Sequence, residues 1–393
     1  MMRGARVANA DVGQPREPFP DRWRRAGSTL RGLGALALIA SDVATVRWLT
    51  GRESEIEWGP PYPLSAGTLV VLRPDGTGWI LCPAGEEAAG PAIRGVTVDP
   101  YEGYSLGPLQ AHENCHQVLG RRVSEALAEP GGTKLGDPRV AIEAHALPMA
   151  LAPRVAWVDA SEALQALRIT KDPSEIELLE RSARVASAGQ RAFRSSAAPG
   201  IPEVELFSII HTAMEMEAGA RVPVFADLVS GPRLPLVGAP PTQRRIGAGE
   251  LVLCDLAPRV GGYWSDSCTT VCVGRPTPEM VRLHDACRQA LDLGVSLARP
   301  GVLAGDIDAR LRGTLRSAGY EYPHHSGHGI GTNFHEAPRI VPGSTVPLEA
   351  GMVLALEPAG FGNGIGCRLE LLMEVMPAGG RVLTEYEVGL ECH

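Results

Sequence analysis

The run Leu251-Val252-Leu253-Cys254-Asp255-Leu256 is followed by a turn ending in Gly261-Gly262. Then comes Tyr263-Trp264-Ser265-Asp266-Ser267-Cys268-Thr269-Thr270-Val271. Each strand-like run carries one acid. Directly opposed residues of an antiparallel pair share a constant index sum. The centre between Asp255 and Asp266 falls between Val260 and Gly261, inside the turn, so the sequence predicts a hairpin with two facing carboxylates. The pattern recurs downstream. Met352 to Leu356 is apolar and ends at Glu357; Asn363-Gly364 is a strong hairpin turn; Cys367-Arg368-Leu369-Glu370-Leu371-Leu372-Met373 resumes the strand. Glu357 and Glu370 centre between Asn363 and Gly364.

Like charges opposed on a sheet destabilise it, and carboxylates among apolar neighbours are costly unless positive charge lies between them. Two divalent cations balance four carboxylates. The competing reading pairs the acids with Arg368 or Arg245. An imidazole ligand is available in Gly327-His328-Gly329-Ile330-Gly331, expected to be a Gly-rich loop whose backbone can approach a site closely. His324 and His325 sit beside it, and His335 follows in Phe334-His335-Glu336-Ala337-Pro338.

Around this core the chain has 393 residues, enough for two domains. Its net charge of −8 argues against a protein that binds nucleic acid by neutralising phosphates. No apolar stretch reaches membrane-spanning length. The eight cysteines are scattered without a CxxC pair, as expected of reduced thiols in a cytoplasmic protein. Leu36 to Ala40, Val46 to Leu49, Leu69 to Leu72 and Trp79 to Leu81 read as strands, with a hairpin turn at Pro74-Asp75-Gly76-Thr77-Gly78. Stretches near 85–92 and 128–138 read as loops. Asp172, Pro173 and Glu175 form a helix start with a capping box, and that helix stops before Pro199-Gly200. Further helices are expected from Pro202 to about Glu217, after Thr277-Pro278, and from Asp306 to Ser317.

These motifs resemble the M24 metallopeptidase family of methionine aminopeptidase, aminopeptidase P, prolidase and creatinase-like enzymes. The resemblance rests on Asp255, on Asp266 in Gly-Tyr-Trp-Ser-Asp, and on Gly-His328-Gly-Ile-Gly. It extends to His335-Glu-Ala-Pro, Glu357-Pro and Arg-Leu-Glu370, with weaker support from Lys171-Asp-Pro-Ser-Glu175-Ile and Trp48-Leu49-Thr50-Gly51. It implies an α/β creatinase-like N-terminal domain and an α+β pita-bread catalytic domain. The expected boundaries are a flexible arm at 1–27, the N-terminal domain at 28–160 and the metallohydrolase domain at 161–393. It implies two divalent metal ions (Mn, Co, Fe or Zn) held by Asp255, Asp266, His328, Glu357 and Glu370, with Asp266 and Glu370 bridging. Two close metals acidify a bound water and polarise the scissile carbonyl. Glu357 is implied as proton shuttle, His335 as a donor to the substrate or its oxyanion, and His324 and Arg368 as substrate-side groups. The implied activity is Xaa-Pro aminopeptidase or prolidase-type cleavage of a peptide or small amide C–N bond. The implied assembly is a homodimer acting on a short peptide or small molecule.

Three stretches depart from the pattern. The substrate-side imidazole of aminopeptidase P and prolidase is replaced at Gly238. The second strand carries Cys268 in place of a hydroxyl and lacks an Arg. Leu371-Leu372 replaces a polar pair after Glu370. These changes raise a second reading, a small-molecule amide hydrolase or lyase using the same metal site.

Overall fold

A computed structural model describes residues 18–53, 67–103, 110–128, 139–236, 238–362 and 364–392. Residues 1–17 of the expected arm, most of the loop expected at 128–138, and the turn residue Asn363 lie outside the described residues.

The N-terminal half runs α1 (Phe19–Leu33), β1 (Ala37–Ala40), α2 (Val43–Thr50), β2 (Leu69–Leu72), β3 (Gly78–Pro83) and β4 (Val96–Tyr101). It continues through α3 (Ala111–Leu127), β5 (Val140–Ile142), β6 (Trp157–Asp159) and α4 (Ser161–Arg168). The strands form one sheet in the order β4-β3-β2-β1-β5-β6. Leu38, Val70 and Leu72 face Trp23, Leu30, Trp48 and Leu164 from the flanking helices. Ile39, Val71 and Leu81 face Cys115, Leu119 and Val123 of α3. Both faces are covered, which is why the inner strands β1, β2, β3 and β5 are buried throughout rather than alternating.

Two expectations change here. Val46 to Leu49 belongs to α2, not to a strand. Asp42 caps the helix, its Oδ1 accepting from the Ala44 and Thr45 amides at 2.9 and 3.1 Å, and Gly51 ends it at φ 67°. A four-residue apolar run does not distinguish strand from helix by period; the cap upstream does. The arm also becomes structure at its C-terminal end. In α1 the side chains of Trp23, Ala26 and Leu30 are buried at helical spacing, a stripe that the Arg-rich composition masks. Trp23 Nε1 donates to the Leu49 carbonyl at 2.8 Å.

The second half opens with α5 (Pro173–Ser196), where the capping box reads as expected: Asp172 accepts from the Glu175 amide and Glu175 reaches back to the Asp172 amide. Next come α6 (Glu203–Ala218), β7 (Val224–Ser230), β8 (Glu250–Val260), β9 (Tyr263–Trp264) and β10 (Cys268–Val273). Then follow α7 (Pro278–Leu297), α8 (Ala304–Ser317), β11 (Gly327–Gly329), β12 (Glu336–Ile340) and β13 (Val353–Leu356). The last strands are β14 (Ala359–Gly362), β15 (Ile365–Arg368), β16 (Leu371–Met376) and β17 (Gly379–Val382). All four expected helices are present.

One sheet has the order β10-β8-β7 with β9 on β8; the other has the order β12-β11-β13-β16-β17; β14 and β15 form a separate ribbon. Helices α5 and α6 cover the first sheet through Phe193, Leu206, Ile210 and Met214. Helices α7 and α8 cover the second through Leu283, Leu291, Ile307 and Leu311. The sheets are joined at a Cys268–Glu370 bridge, and Thr270 Oγ1 both donates to the Arg368 carbonyl and accepts from its amide at 3.0 Å. This seam is where the acids of the two hairpins meet. Among the described residues no helix is long and apolar enough to cross a membrane.

Truncating Trp23 removes a fully buried indole and its hydrogen bond. Trp23→Ala is expected to cost about 3–5 kcal/mol of stability, read as a shift in the urea midpoint; a shift near zero would show α1 to be dispensable.

Candidate metal centre

The four acids arrive at the seam by two registers. In the first hairpin Cys268 opposes Asp255, and Trp264 opposes Arg259. The pairing is displaced by two residues from the expected one, so Asp266 lies in the gap between β9 and β10 and not directly across from Asp255. A shift of two preserves the face of every side chain, and the two carboxyls still lie close enough for the Asp255 charge to raise that of Asp266. In the second hairpin the expected register holds. Ala359 opposes Arg368 and Gly362 opposes Ile365, and Leu356 opposes Leu371 in the adjoining pair. Glu357 and Glu370 occupy the step between these two ladders.

His328 sits on β11, a short strand rather than the expected loop. It lies between Ala355 on β13 and Arg339 on β12. Its two glycine neighbours are required by crowding: a Cβ at Gly327 would fall 2.2 Å from the Ala355 carbonyl oxygen, and one at Gly329 2.1 Å from that of Ala337. The Nδ1 of His328 contacts the Gly329 carbonyl at 2.9 Å. That leaves Nε2 toward the acids, 3.5 Å from Asp266 and 3.9 Å from Glu357.

Asp266, His328 and Glu370 each offer a ligand atom, and these atoms lie within 4.8 Å of one another. Glu370 is 1 % exposed, and neither of its carboxylate oxygens has a hydrogen-bond partner. Burial pushes the Glu370 and Asp266 carboxyls well above the usual range, reinforced by the charges of Asp255 and Glu357 and, for Glu370, by that of Asp266. Burial likewise raises Asp255 to about 6, with Arg368 opposing the shift. Burial acts on Glu357 in the same sense, but the hydrogen bond from His325 together with the charges of His325, Arg368 and His324 holds it at about 2. Burial lowers His328 to about 3 and His324 to about 4, so both imidazoles are neutral bases. A neutral imidazole among carboxylates, one of them with no donor at all, is a donor set suited to divalent cations. The residues therefore fit two ions.

The competing arginine reading is realised in part. Arg368 Nη2 is 2.5 Å from Asp255 and 3.3 Å from Asp227, and Nη1 is 4.0 Å from Glu357. Arg245 is elsewhere, donating to the Gly200 carbonyl. One guanidinium cannot balance the whole cluster.

The other expected residues converge on the same place. The His335 ring stands edge-on to His328 with centroids 4.1 Å apart and stacks on Phe334. His324 Nδ1 lies 3.6 Å from Glu357, and its Nε2 is buried without a partner. Two neighbours were not assigned from sequence. His325 Nε2 contacts Glu357 at 2.6 Å; the signal was its place in the His-His pair. Asp227 lies opposite Asp255 on β7; the signal was an acid inside the run Phe225-Ala226-Asp227-Leu228-Val229. Of the departures, Cys268 presents its thiol to Arg368 Nε at 3.5 Å, Leu372 is core, and the Gly238 amide donates to Asp227 at 2.8 Å.

Comparison with known proteins settles the family. The model of metallopeptidase family M24 matches residues 177–377, about half of the chain. The chain belongs to family M24. It is a metallohydrolase with the pita-bread fold, from a family that works with a pair of divalent metals. It is 31% identical to the Xaa-Pro dipeptidase of Lactobacillus helveticus over 239 residues, 59% of this chain and 64% of that one. A solved dipeptidase PepE from Mycobacterium ulcerans superposes with a TM-score of 0.76 at 26% identity, covering 95% of this chain and 98% of that chain. The fold is also that of a solved Xaa-Pro dipeptidase from Bacillus anthracis, with a TM-score of 0.79 at 22% identity over 94% of this M24 chain and 99% of the other.

The raised carboxyls give a pH signature. Without metal, the folded chain holds protons on Asp255, Asp266 and Glu370 above about pH 4, where the unfolded chain has released them. Stability of the metal-free protein therefore falls as pH rises through the folded-state values, about 6 for Asp255. Metal binding displaces those protons. The Tm gap between metal-loaded and metal-free protein is expected to widen from about pH 5 to about pH 8; scanning calorimetry showing the gap constant or narrowing would contradict it.

Proposed function

We propose that this M24 chain is a dinuclear-metal hydrolase of the Xaa-Pro dipeptidase type, with Asp255, Asp266, His328, Glu357 and Glu370 as metal ligands. The observation behind this reading is the buried Glu370 carboxylate without a donor on either oxygen, set between Asp266 and His328. The bound ions would supply Lewis acidity at the scissile carbonyl and acidity to water.

The chain's own groups would do the rest. Glu357 is held ionised by His325 and Arg368, so it stands ready to accept a proton near the reacting carbon and pass it to the leaving nitrogen. His335 remains accessible to solvent, and partial desolvation of its ring together with the charges of His325 and Arg339 lowers its pKa. Its place against His328 suits donation to a substrate oxygen. His324 and Arg368 would fix the substrate beside Glu357. Phe225, Phe334 and Trp264 form a continuous aromatic wall, with ring centroids 5.7 and 5.6 Å apart, leading to His328; such a wall suits an apolar side chain or a pyrrolidine ring. The relatives named for an activity are peptidases, dipeptidases and aminopeptidases among them, which favours a short peptide over a specialised small molecule. The division into domains near residue 160 and a homodimeric assembly belong to the same reading.

The test is a purified protein loaded in turn with Mn, Co, Fe and Zn and assayed against Xaa-Pro dipeptides and small amides. The expectation is about two ions per chain and cleavage of Xaa-Pro dipeptides. Glu357→Gln should lower kcat by about 10²–10⁴-fold. A metal-stripped preparation with full activity would overturn the reading.

A further inference from the structure

The centre holds a charge that the ligand set does not explain. Arg368 is buried among the acids, so a guanidinium stands next to the place for two divalent ions. Among the described residues, Asp227 is the only carboxylate paired with Arg368 outside the ligand set. It is 5 % exposed and pairs across the β7–β8 ladder with Asp255. Its Oδ2 accepts from the Gly238 amide at 2.8 Å and from Arg368 Nη2 at 3.3 Å. Its Oδ1 is buried with no partner. The same Nη2 makes the shorter contact, 2.5 Å, with Asp255.

Charge bookkeeping gives Asp227 a purpose. With two divalent ions bound, Asp255, Asp266, Glu357 and Glu370 are engaged by the ions, and the Arg368 guanidinium is left without a carboxylate of its own in the ligand set. Asp227 supplies one. A buried charge left uncompensated is strongly unfavourable, and a guanidinium occupying Asp255 competes with a cation for the same oxygens.

We propose that Asp227 is a positioning residue of the metal centre: it takes the Arg368 guanidinium on its free Oδ1 when Asp255 turns to a cation. Asp227 thereby tunes metal affinity through Arg368 and not by ligation. Because its Oδ2 holds the Gly238 amide, it also anchors the segment that lacks the substrate-side imidazole to that guanidinium. The inference rests on Asp255 being a metal ligand, as read above.

The test is calorimetric titration of metal-stripped protein with Mn²⁺. Asp227→Asn is expected to raise the Kd by about 10–100-fold, as loss of a partner behind a ligand does. In an Arg368→Gln background the same substitution is expected to change the Kd by less than about threefold, since no guanidinium remains to be placed. Asp227→Glu, which keeps the charge, should restore most of the affinity. Equal weakening with and without Arg368, or wild-type affinity in the Asn variant, overturns the proposal. Should the Asn variant not fold, the crystal structure of the Mn-loaded wild type decides. Arg368 is expected on both oxygens of Asp227 and off Asp255; an Asp227 Oδ1 still without a donor overturns the proposal. A wild type that binds no Mn²⁺ removes the ligand assignment itself, whereas one that binds tightly with an indifferent Asp227→Asn leaves the assignment standing and removes only this inference.

Discussion

Several carboxylates brought together in a dry seam cannot all remain ionised without cations between them. The catalytic half is arranged around that constraint. Two sheets, each covered by its own helix pair, meet along a line where Cys268 bridges Glu370 and Thr270 clasps the Arg368 backbone from both sides. The seam is apolar in its backing and acidic at its surface. The helix pairs position the sheets, and the sheets deliver the acids, so a folding preference and an electrostatic debt are settled at one place. Glu370 shows the debt most plainly, since both its oxygens are buried without donors. In a stable protein a buried polar group is normally satisfied, and the metal ions of the proposed reading would supply the partner that Glu370 lacks.

Much of this was legible in the sequence because an acid inside an apolar run is a local signal and hairpin pairing is arithmetic. The Glu357–Glu370 register followed from the Asn363-Gly364 turn, and Leu356 opposite Leu371 obeys it. The Asp255–Asp266 register did not follow, because the gap between β9 and β10 moves the ladder by two. That shift leaves parity intact, so the conclusion that both acids face one site survived an inexact pairing. The readings that failed lacked such redundancy. Val46 to Leu49 is too short for its period to speak, and Asp42 decides for helix through a cap that reading the run alone does not weigh. His328 was expected on a loop since glycines suggest turns. They serve instead to let three strands approach closely around one imidazole. Asp227 and His325 escaped assignment for a different reason. Each carried the right signal, but which acid or imidazole reaches the seam depends on contacts between strands far apart in sequence.

The departures from the family pattern take on physical meaning once placed. Cys268 lies opposite Asp255 and offers a soft, weakly accepting thiol to Arg368. A hydroxyl there would accept more strongly, so the thiol leaves the guanidinium freer to divide itself among the acids. Gly238 contributes only its amide, and that amide is taken by Asp227. A Cβ added at Gly238 would meet nothing within 4 Å among the described residues, so no described side chain takes the place of the imidazole. The position that lacks the imidazole gives its backbone amide to Asp227, the same acid that pairs with Arg368.

The N-terminal half reaches the same centre through a relay of buried polar groups. Glu143 accepts from the Ser41 and Asp42 amides at 2.9 Å and from Thr45 Oγ1 at 2.5 Å. Arg168 donates to Thr45 Oγ1 at 2.5 Å and lies 3.5 Å from Glu336, which Lys171 also binds at 2.8 Å. Glu336 is the residue after His335, and its other contact, from the Asn333 amide at 3.1 Å, closes the turn that presents that imidazole. Burial alone would raise the Glu336 carboxyl; Lys171, Arg168 and these hydrogen bonds hold it below its ordinary value, so the relay is ionic at neutral pH. Ion pairs of this depth add little net stability compared with apolar packing. Their value is geometric, since a charge with two fixed partners tolerates only one arrangement. The α/β domain thus bears, through Thr45, Arg168 and Glu336, on where His335 stands relative to His328.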